Sequence, residues 1–429
     1  MTPHRPSRFA DSLLARSVCL CINFFLIILA YYQVKVASRS LFLEYGQPDQ
    51  LPLVWIGSGL TLLLLMPLYQ RLLTRVPRLR VVLGSCLLFS GLLVGFRLLF
   101  LEAGFAVSFV FYLLVDIFSV VLVEQFWSLT NSLYRSQAGR SWYGLVGSGG
   151  ILGGMLGGAT AAVLLNFTAI TTEGLLLVSA GLILLIFSMT LAMARLGFYA
   201  QDSVPTAPIP APPSERSPPR YLWMITLLLL LSQLSAPIVE YQLMSLVQQQ
   251  FPEKEARSAF ISLLYLYLGS AALGVNLLFT PLIHRRLGVI SGLLTQPLLL
   301  GLAAYGFMIN ASLLMAQLLK IADRGLSYSI NRASKELLYV PLLPELIYRA
   351  KAWIDMLGYR LFKIFTSFLI LLFTRWEVLS LTPPQFSWLV LAICLVWCVA
   401  ILRIRGEYRL KLKAEQRNVP AQPQSQESA

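Results

Sequence analysis

Charge is the scarcest property of this chain. Asp, Glu, Lys and Arg together make up 13% of its 429 residues against 57% hydrophobic, a balance that excludes an ordinary soluble globular domain. Histidine is nearly missing, with only His4 and His284. The five cysteines show no ligand spacing: Cys19 and Cys21 share one apolar run, Cys394 and Cys398 another, and Cys86 stands alone. No metal site and no cofactor are therefore expected, and the cysteines read as small buried apolar residues. No ATPase motif and no nucleophile–base pairing is present, so the chain does not read as an enzyme. Acidic residues number 20 against 34 basic ones, for a formal net charge of +14. The basic residues form no single stripe or arm of the kind that grips nucleic acid. They sit in short patches between apolar runs.

What is abundant is apolar sequence in runs of membrane-spanning length. The expected fold is an all-α integral membrane protein of twelve transmembrane helices in two six-helix halves, major facilitator-like. The first span runs from about Leu13 to Val36, too long an apolar core for a cleaved signal peptide. Others follow at about Leu51–Tyr69, Val81–Leu101, Phe105–Leu133, from Tyr143, and up to Arg195. Residues 201–219 hold seven prolines and no apolar periodicity, which marks a linker. The implied organisation is an N-terminal bundle at 1–200, the linker at 201–219, a C-terminal bundle at 220–406 and a basic, disordered tail at 407–429. Two halves of similar hydropathy are what a duplicated six-helix transporter looks like. Twelve spans place both termini and the arginine-rich loops on one side, which the positive-inside rule makes cytoplasmic. In the fifth span, overlapping Gly-x-x-x-Gly pairs such as Gly149/Gly153 and Gly154/Gly158 predict close helix packing, with Gly269, Ala271, Ala272 and Gly274 as a partner face. No strand–loop–helix unit surrounds them, so they are not a phosphate loop.

Charges at membrane depth are costly and default to a functional reading. Apart from Arg97 and Lys363, they fall on the first, fourth, seventh and tenth spans, the four that line the central cavity of a major facilitator architecture. Lys35 and Arg39 lie i, i+4 beside Tyr31; they either snorkel to the outer interface or form an anion-binding pair. Asp116 and Glu124 are about 80° apart in azimuth on one helix and can face one cavity. Each is a candidate ion-pair partner or proton carrier, as is Glu240 just after Pro237. Lys320, Asp323 and Arg324 share a helix face at i, i+3, i+4. Arginine offers a fork of donors to phosphate and lysine a compact charge, which suits an anionic substrate. With the carboxylates counted, the cavity charge read this way is near zero.

The stretch Lys335-Glu336-Leu337-Leu338-Tyr339-Val340-Pro341-Leu342, followed by Lys351 and Asp355, resembles the "Lys-Glu-x-x-Tyr-x-Pro-Leu" and "Lys-x-x-x-Asp" segments of the ATP/ADP translocases. Phe126-Trp127 and Asn131 are similar to that family's "Phe-Trp-x-x-x-Asn" segment, and Asp116 occupies its upstream acidic position. Gly139 stands where the family often has a lysine. The resemblance adds Trp127 and Asn131 to the substrate site and makes Lys335, Glu336, Tyr339, Lys351 and Asp355 a gating motif on the cytoplasmic side. It implies a secondary transporter in a bacterial inner membrane, exchanging a nucleotide or related phosphorylated anion by alternating access. A proton-coupled transporter of another solute is the alternative. The expected partners are a small anionic solute and membrane lipid, with no nucleic acid, and the chain is expected to act as a monomer.

Overall fold

In lipid no water satisfies exposed backbone groups, so the apolar runs must form helices that bond internally. The structure, a computed structural model, describes residues 12–133, 142–199, 220–339, 342, 354–375 and 381–418. Helices and turns make up the described residues, with no strand among them. The first half supplies α1 (Leu13–Tyr45), α2 (Leu51–Leu73), α3 (Arg78–Leu99), α4 (Phe105–Leu133), α5 (Tyr143–Phe167) and α6 (Gly174–Arg195). The second supplies α7 (Arg220–Gln250), α8 (Lys254–Arg286), α9 (Gly288–Ile309), α10 (Leu313–Lys320), α11 (Ile330–Tyr339), α12 (Tyr359–Arg375) and α13 (Ser387–Asn418). Ten helices among the described residues are long and apolar enough to cross a membrane. The other two of the twelve spans are assembled from shorter pieces, with α10 and α11 in one and α12 in the other. The proline-rich linker and the Gly139 turn lie outside the described residues.

Two helices outrun their apolar stretches. The first continues past Val36 to Tyr45, because Ser38, Arg39 and Ser40 find partners inside the protein and are buried. The last runs to Asn418, into the basic stretch that hydropathy alone assigns to the tail. Three π-helical turns, at Val275–Phe279, Ile321–Gly325 and Ile354–Gly358, interrupt the eighth, tenth and eleventh spans. Such turns are rare and recur at functional sites, since the extra residue re-aims the side chains that follow. Here the second of them carries Asp323 and Arg324 themselves.

The glycine-rich α5 packs on α1 and α8. A Cβ at Gly153 would stand 2.5 Å from the Phe25 carbonyl oxygen on α1. One at Gly158 would stand 2.7 Å from the Leu266 backbone nitrogen on α8, and one at Gly269 would stand 3.0 Å from Met155. The glycines thus serve two faces, an intrahalf contact with α1 and an interhalf contact with α8.

At the end of the bundle opposite the arginine-rich loops, polar contacts tie the halves together. Arg257 on α8 pairs with Glu44 on α1. Thr172 and Ser258 hydroxyls lie 2.7 Å apart, Gln248 donates to the Leu43 carbonyl at 3.0 Å, and Arg375 reaches Asp49 at 3.4 Å. Lys254 Nζ donates to Glu173 Oε1 at 2.5 Å. Burial alone would push the Glu173 carboxyl up, but the hydrogen bond from Lys254 and its charge outweigh that and hold it below the ordinary glutamate value. A carboxyl lowered on folding stabilises the folded state above its unfolded pKa, about 4.3, and loses that contribution as pH falls through its folded pKa. Glu173→Gln should therefore lower the melting temperature at pH 7 and converge with the parent protein in strongly acidic buffer. A constant gap at every pH would show that the ion pair contributes nothing.

Candidate functional site

A cavity of about 480 Å³ opens between the halves, lined from α1, α2, α4, α7, α8, α12 and the tenth span. Each charged group in it is aimed by a helix that packs its apolar side elsewhere. From α1 come Tyr31, Tyr32, Lys35 and Arg39; from α4 come Tyr112, Asp116, Ser119 and Glu124. Gln233 and Glu240 project from α7 on either side of Pro237, which sits inside an unbroken helix. Lys320, Arg324 and Tyr328 enter from the tenth span, and Tyr359, Arg360 and Lys363 from the eleventh.

Most of these charges form one alternating ladder. Lys363 Nζ lies 3.1 Å from Asp116 Oδ2, and Asp116 Oδ1 lies 3.3 Å from Arg39 Nη2. Arg39 Nε is 4.0 Å from Glu240, whose other oxygen is 2.6 Å from Lys320 Nζ. Lys320 is 3.9 Å from Asp323, and Asp323 is 3.4 Å from Arg324 Nε. The ladder begins and ends on a cation, and it crosses between the halves twice, at Lys363–Asp116 and at Arg39–Glu240. Asp323 sits behind the cavity wall, 1% exposed, where Ser235 donates to its carboxylate at 3.1 Å and Gln296 donates to its backbone carbonyl at 2.8 Å. Asn331 in turn donates to the Gln296 side-chain oxygen. Buried charges persist in such a setting only when paired and hydrogen-bonded.

Lys35 stands outside the ladder. Its ammonium lies 5.3, 4.8 and 4.3 Å from the ring centres of Tyr31, Tyr32 and Tyr265, and it has no ion pair within 4.0 Å among the described residues. Three aromatic faces hold a desolvated ammonium by its attraction to their π-electrons. Arg39 packs likewise 4.2 Å from the Tyr112 ring centre, and its buried Nε has no hydrogen-bond partner among the described residues. In ordinary ionised form, six cations meet four carboxylates here: Lys35, Arg39, Lys320, Arg324, Arg360 and Lys363 against Asp116, Glu124, Glu240 and Asp323. The site carries a nominal charge of plus two rather than the balance read from the sequence.

The residues read from the sequence therefore divide into groups. Tyr31, Lys35, Arg39, Asp116, Glu124, Glu240, Lys320 and Arg324 converge on the cavity, and Asp323 braces it. Trp127 packs against Phe24, Phe126 and Tyr143, and exposed Asn131 accepts a hydrogen bond from Tyr143; neither lines the cavity. Lys335, Glu336 and Tyr339 line a second pocket next to it. Lys351 and the Asp355 side chain lie outside the described residues. Lys363 and Arg360, visible in the sequence but given no place in the site, line the cavity, as do Tyr112 and Tyr265, which the sequence did not mark.

With that geometry in place, sequence comparison finds relatives of the second half. Residues 216–408 match the TLC ATP/ADP transporter family. This span holds the Lys-Glu-x-x-Tyr-x-Pro-Leu stretch and four of the six cavity cations, and the resemblance to the ATP/ADP translocases holds. The ADP,ATP carrier protein 1 of Rickettsia typhi is 23% identical over 216 residues, covering 44% of this chain and 43% of the relative. The protein of the same name from Rickettsia prowazekii matches to the same extent. The match thus spans less than half the length of these relatives. Among solved structures, a bacterial homologue of the iron transporter ferroportin in an inward-facing state superposes with a TM-score of 0.64 over 92% of this chain and 99% of that one, at 17% identity. The nucleoside transporter NupG gives 0.62 at 12% identity, covering 92% and 100%. The POT family transporter PepTSo gives 0.62 at 12% identity, covering 94% and 99%. These likenesses establish the major facilitator-like fold of a multi-pass membrane protein. The cargoes in those names differ, as a shared fold with separate sites allows.

Proposed function

We propose that this protein is a secondary transporter of a nucleotide or a closely related phosphorylated anion, working by exchange and alternating access in a bacterial inner membrane. The observation that carries the reading is the surplus of two positive charges in a cavity whose ion ladder joins both halves. An anion carrying phosphate offers what the surplus lacks, and arginine and lysine are the side chains that recognise it. Tyr31, Tyr32 and Tyr265 offer faces on which a base can stack once the phosphate has drawn Lys35 out of its cage. The match to the ATP/ADP transporters over the second half supports the same class of cargo. With the arginine-rich loops cytoplasmic, both termini fall on that side and the Glu173–Lys254 end faces outward.

The decisive experiment is uptake of labelled ATP and ADP into proteoliposomes loaded with either nucleotide, paired with thermal stabilisation of the purified protein. A ligand that binds only the folded state raises its apparent stability. Counterflow that requires internal nucleotide, with stabilisation by ATP and ADP, is the expected result. Stabilisation by neither, and accumulation of another solute driven by a proton gradient, would replace this reading with the proton-coupled one.

A further inference from the structure

A second pocket, of about 420 Å³, adjoins the central cavity on the side of the arginine-rich loops. The two share four lining residues, Gln233, Arg324, Tyr328 and Tyr359, so they are consecutive chambers rather than separate clefts. Arg324 stands at the junction with its side chain 30% exposed. From there α11 leads outward to Arg332 and Lys335, whose side chains line the second chamber.

The electrostatics of this chamber are one-sided. Lys335 is 9% exposed, and its Nζ donates to Ser232 Oγ at 2.8 Å. Among the described residues it has no carboxylate within 4.0 Å. A lysine desolvated to that degree, with a hydroxyl as its partner among the described residues, is costly unless an anion visits it. Arg332 is exposed at the same wall, and Arg324, paired behind the wall with Asp323, closes the inner end; among the described residues that line the chamber, these three cations stand with one carboxylate, Glu336. Lys335 lies eleven residues beyond Arg324, roughly 16 Å at the rise of an α-helix. An anion that enters from this side passes Lys335 and then Arg332, which lies three residues nearer to Arg324 on the same helix, before it reaches Arg324.

We propose that this chamber is a phosphate-docking subsite, in which Arg332 and Lys335 capture the phosphate groups of the anion before Arg324 passes them to the central cavity. The inference rests on the anion-transport reading for its purpose, while the binding it describes stands on the chamber's own charges. Handing an anion between cations spaced along a path keeps it bound without ever trapping it deeply. The same arrangement raises the local concentration of anions at the entrance.

The test uses the full-length purified protein and inorganic pyrophosphate, which carries phosphates but no base and no lipid tail. In Lys320→Gln, which weakens the central cavity, pyrophosphate should still raise the melting temperature. Adding Arg332→Gln, an exposed substitution, should weaken its binding about tenfold and flatten the dependence of affinity on salt. Lys335→Gln should do the same while leaving the ligand-free melting temperature unchanged or higher, since it removes a buried charge without a carboxylate; a merely structural lysine would lower it. Pyrophosphate affinity and salt dependence unchanged in both Arg332→Gln and Lys335→Gln would overturn the subsite even if nucleotide exchange is intact. Pyrophosphate binding that needs Lys335, in a protein that neither ATP nor ADP stabilises, would keep the subsite and remove the nucleotide reading. Absence of any pyrophosphate binding would remove the subsite outright.

Discussion

Replacing Lys320 with alanine should abolish anion uptake, with affinity falling by about 10- to 100-fold, the equivalent of one or two charge-assisted hydrogen bonds. Lys320 is 4% exposed and holds two carboxylates at once, Glu240 at 2.6 Å and Asp323 at 3.9 Å. Without it, Glu240 keeps, among the described residues, the 4.0 Å ion pair with Arg39, and the cavity surplus drops from two charges to one. The loss has a folding component too, because breaking a buried pair leaves an uncompensated charge worth about 3–5 kcal/mol. The two effects are separable. Lys320→Ala combined with Glu240→Gln removes both ends of the 2.6 Å pair, so the melting temperature should recover most of the way while uptake stays lost. Arg324→Ala, whose side chain is more exposed and whose only described ion pair is with Asp323, should reduce uptake with a smaller thermal penalty. Uptake within about twofold of the parent in both single variants would rule out this cation site.

Which side chains converge was partly legible in the sequence, and the reasons are geometric. Charges inside apolar runs are conspicuous, and their recurrence on the first, fourth, seventh and tenth spans pointed to the cavity that Lys35, Asp116, Glu240 and Lys320 line. Azimuth along one helix was also readable: residues eight apart differ by about 80°, and Asp116 and Glu124 line the same cavity. Height was the weaker coordinate. Trp127 lies close to the azimuth of Asp116, yet eleven residues on it stands roughly 16 Å further along the helix, below the cavity floor. Asn131 lies further still, and a family motif gives no height. Lys363 was seen but set aside, because it follows a span broken by the π turn at Ile354–Gly358 and its azimuth cannot be carried through that turn from spacing. Tyr112 and Tyr265 left no trace at all, since a tyrosine in an apolar run reads equally as core, belt or cage, and only the fold shows a ring 4.3 Å from an ammonium. The end of α1 was misjudged for a related reason. Hydropathy penalises Lys35 and Arg39 as though they met lipid, whereas the other half of the protein supplies Glu240 and Tyr265 to receive them.

The Lys363–Asp116 pair should give opposite signs when its two ends are neutralised, and that pattern is sharper than either effect alone. Asp116 sits between Lys363 at 3.1 Å and Arg39 at 3.3 Å, so it offsets cations from both halves. Asp116→Asn raises the nominal surplus from two to three and frees both cations for a ligand, so anion affinity should rise. Lys363→Gln lowers the surplus to one, so affinity should fall. A unit charge about 6 Å from a phosphate is worth ~3 kcal/mol at an effective dielectric of 20, which sets an upper bound of about 100-fold in each direction. The double variant restores the count, and its affinity should return close to that of the parent. Turnover should not return with it. The pair bridges α4 and α12, one helix from each half, and if the halves rock against each other the bridge must break and reform once per cycle. All three variants should therefore exchange more slowly than the parent, Asp116→Asn despite binding more tightly. Equilibrium binding and exchange rates, measured at low ionic strength where charge effects are least screened, decide the matter. Affinities that move in the same direction in both single variants would show that Asp116 and Lys363 act through packing, and the charge count of the cavity would no longer explain its selectivity.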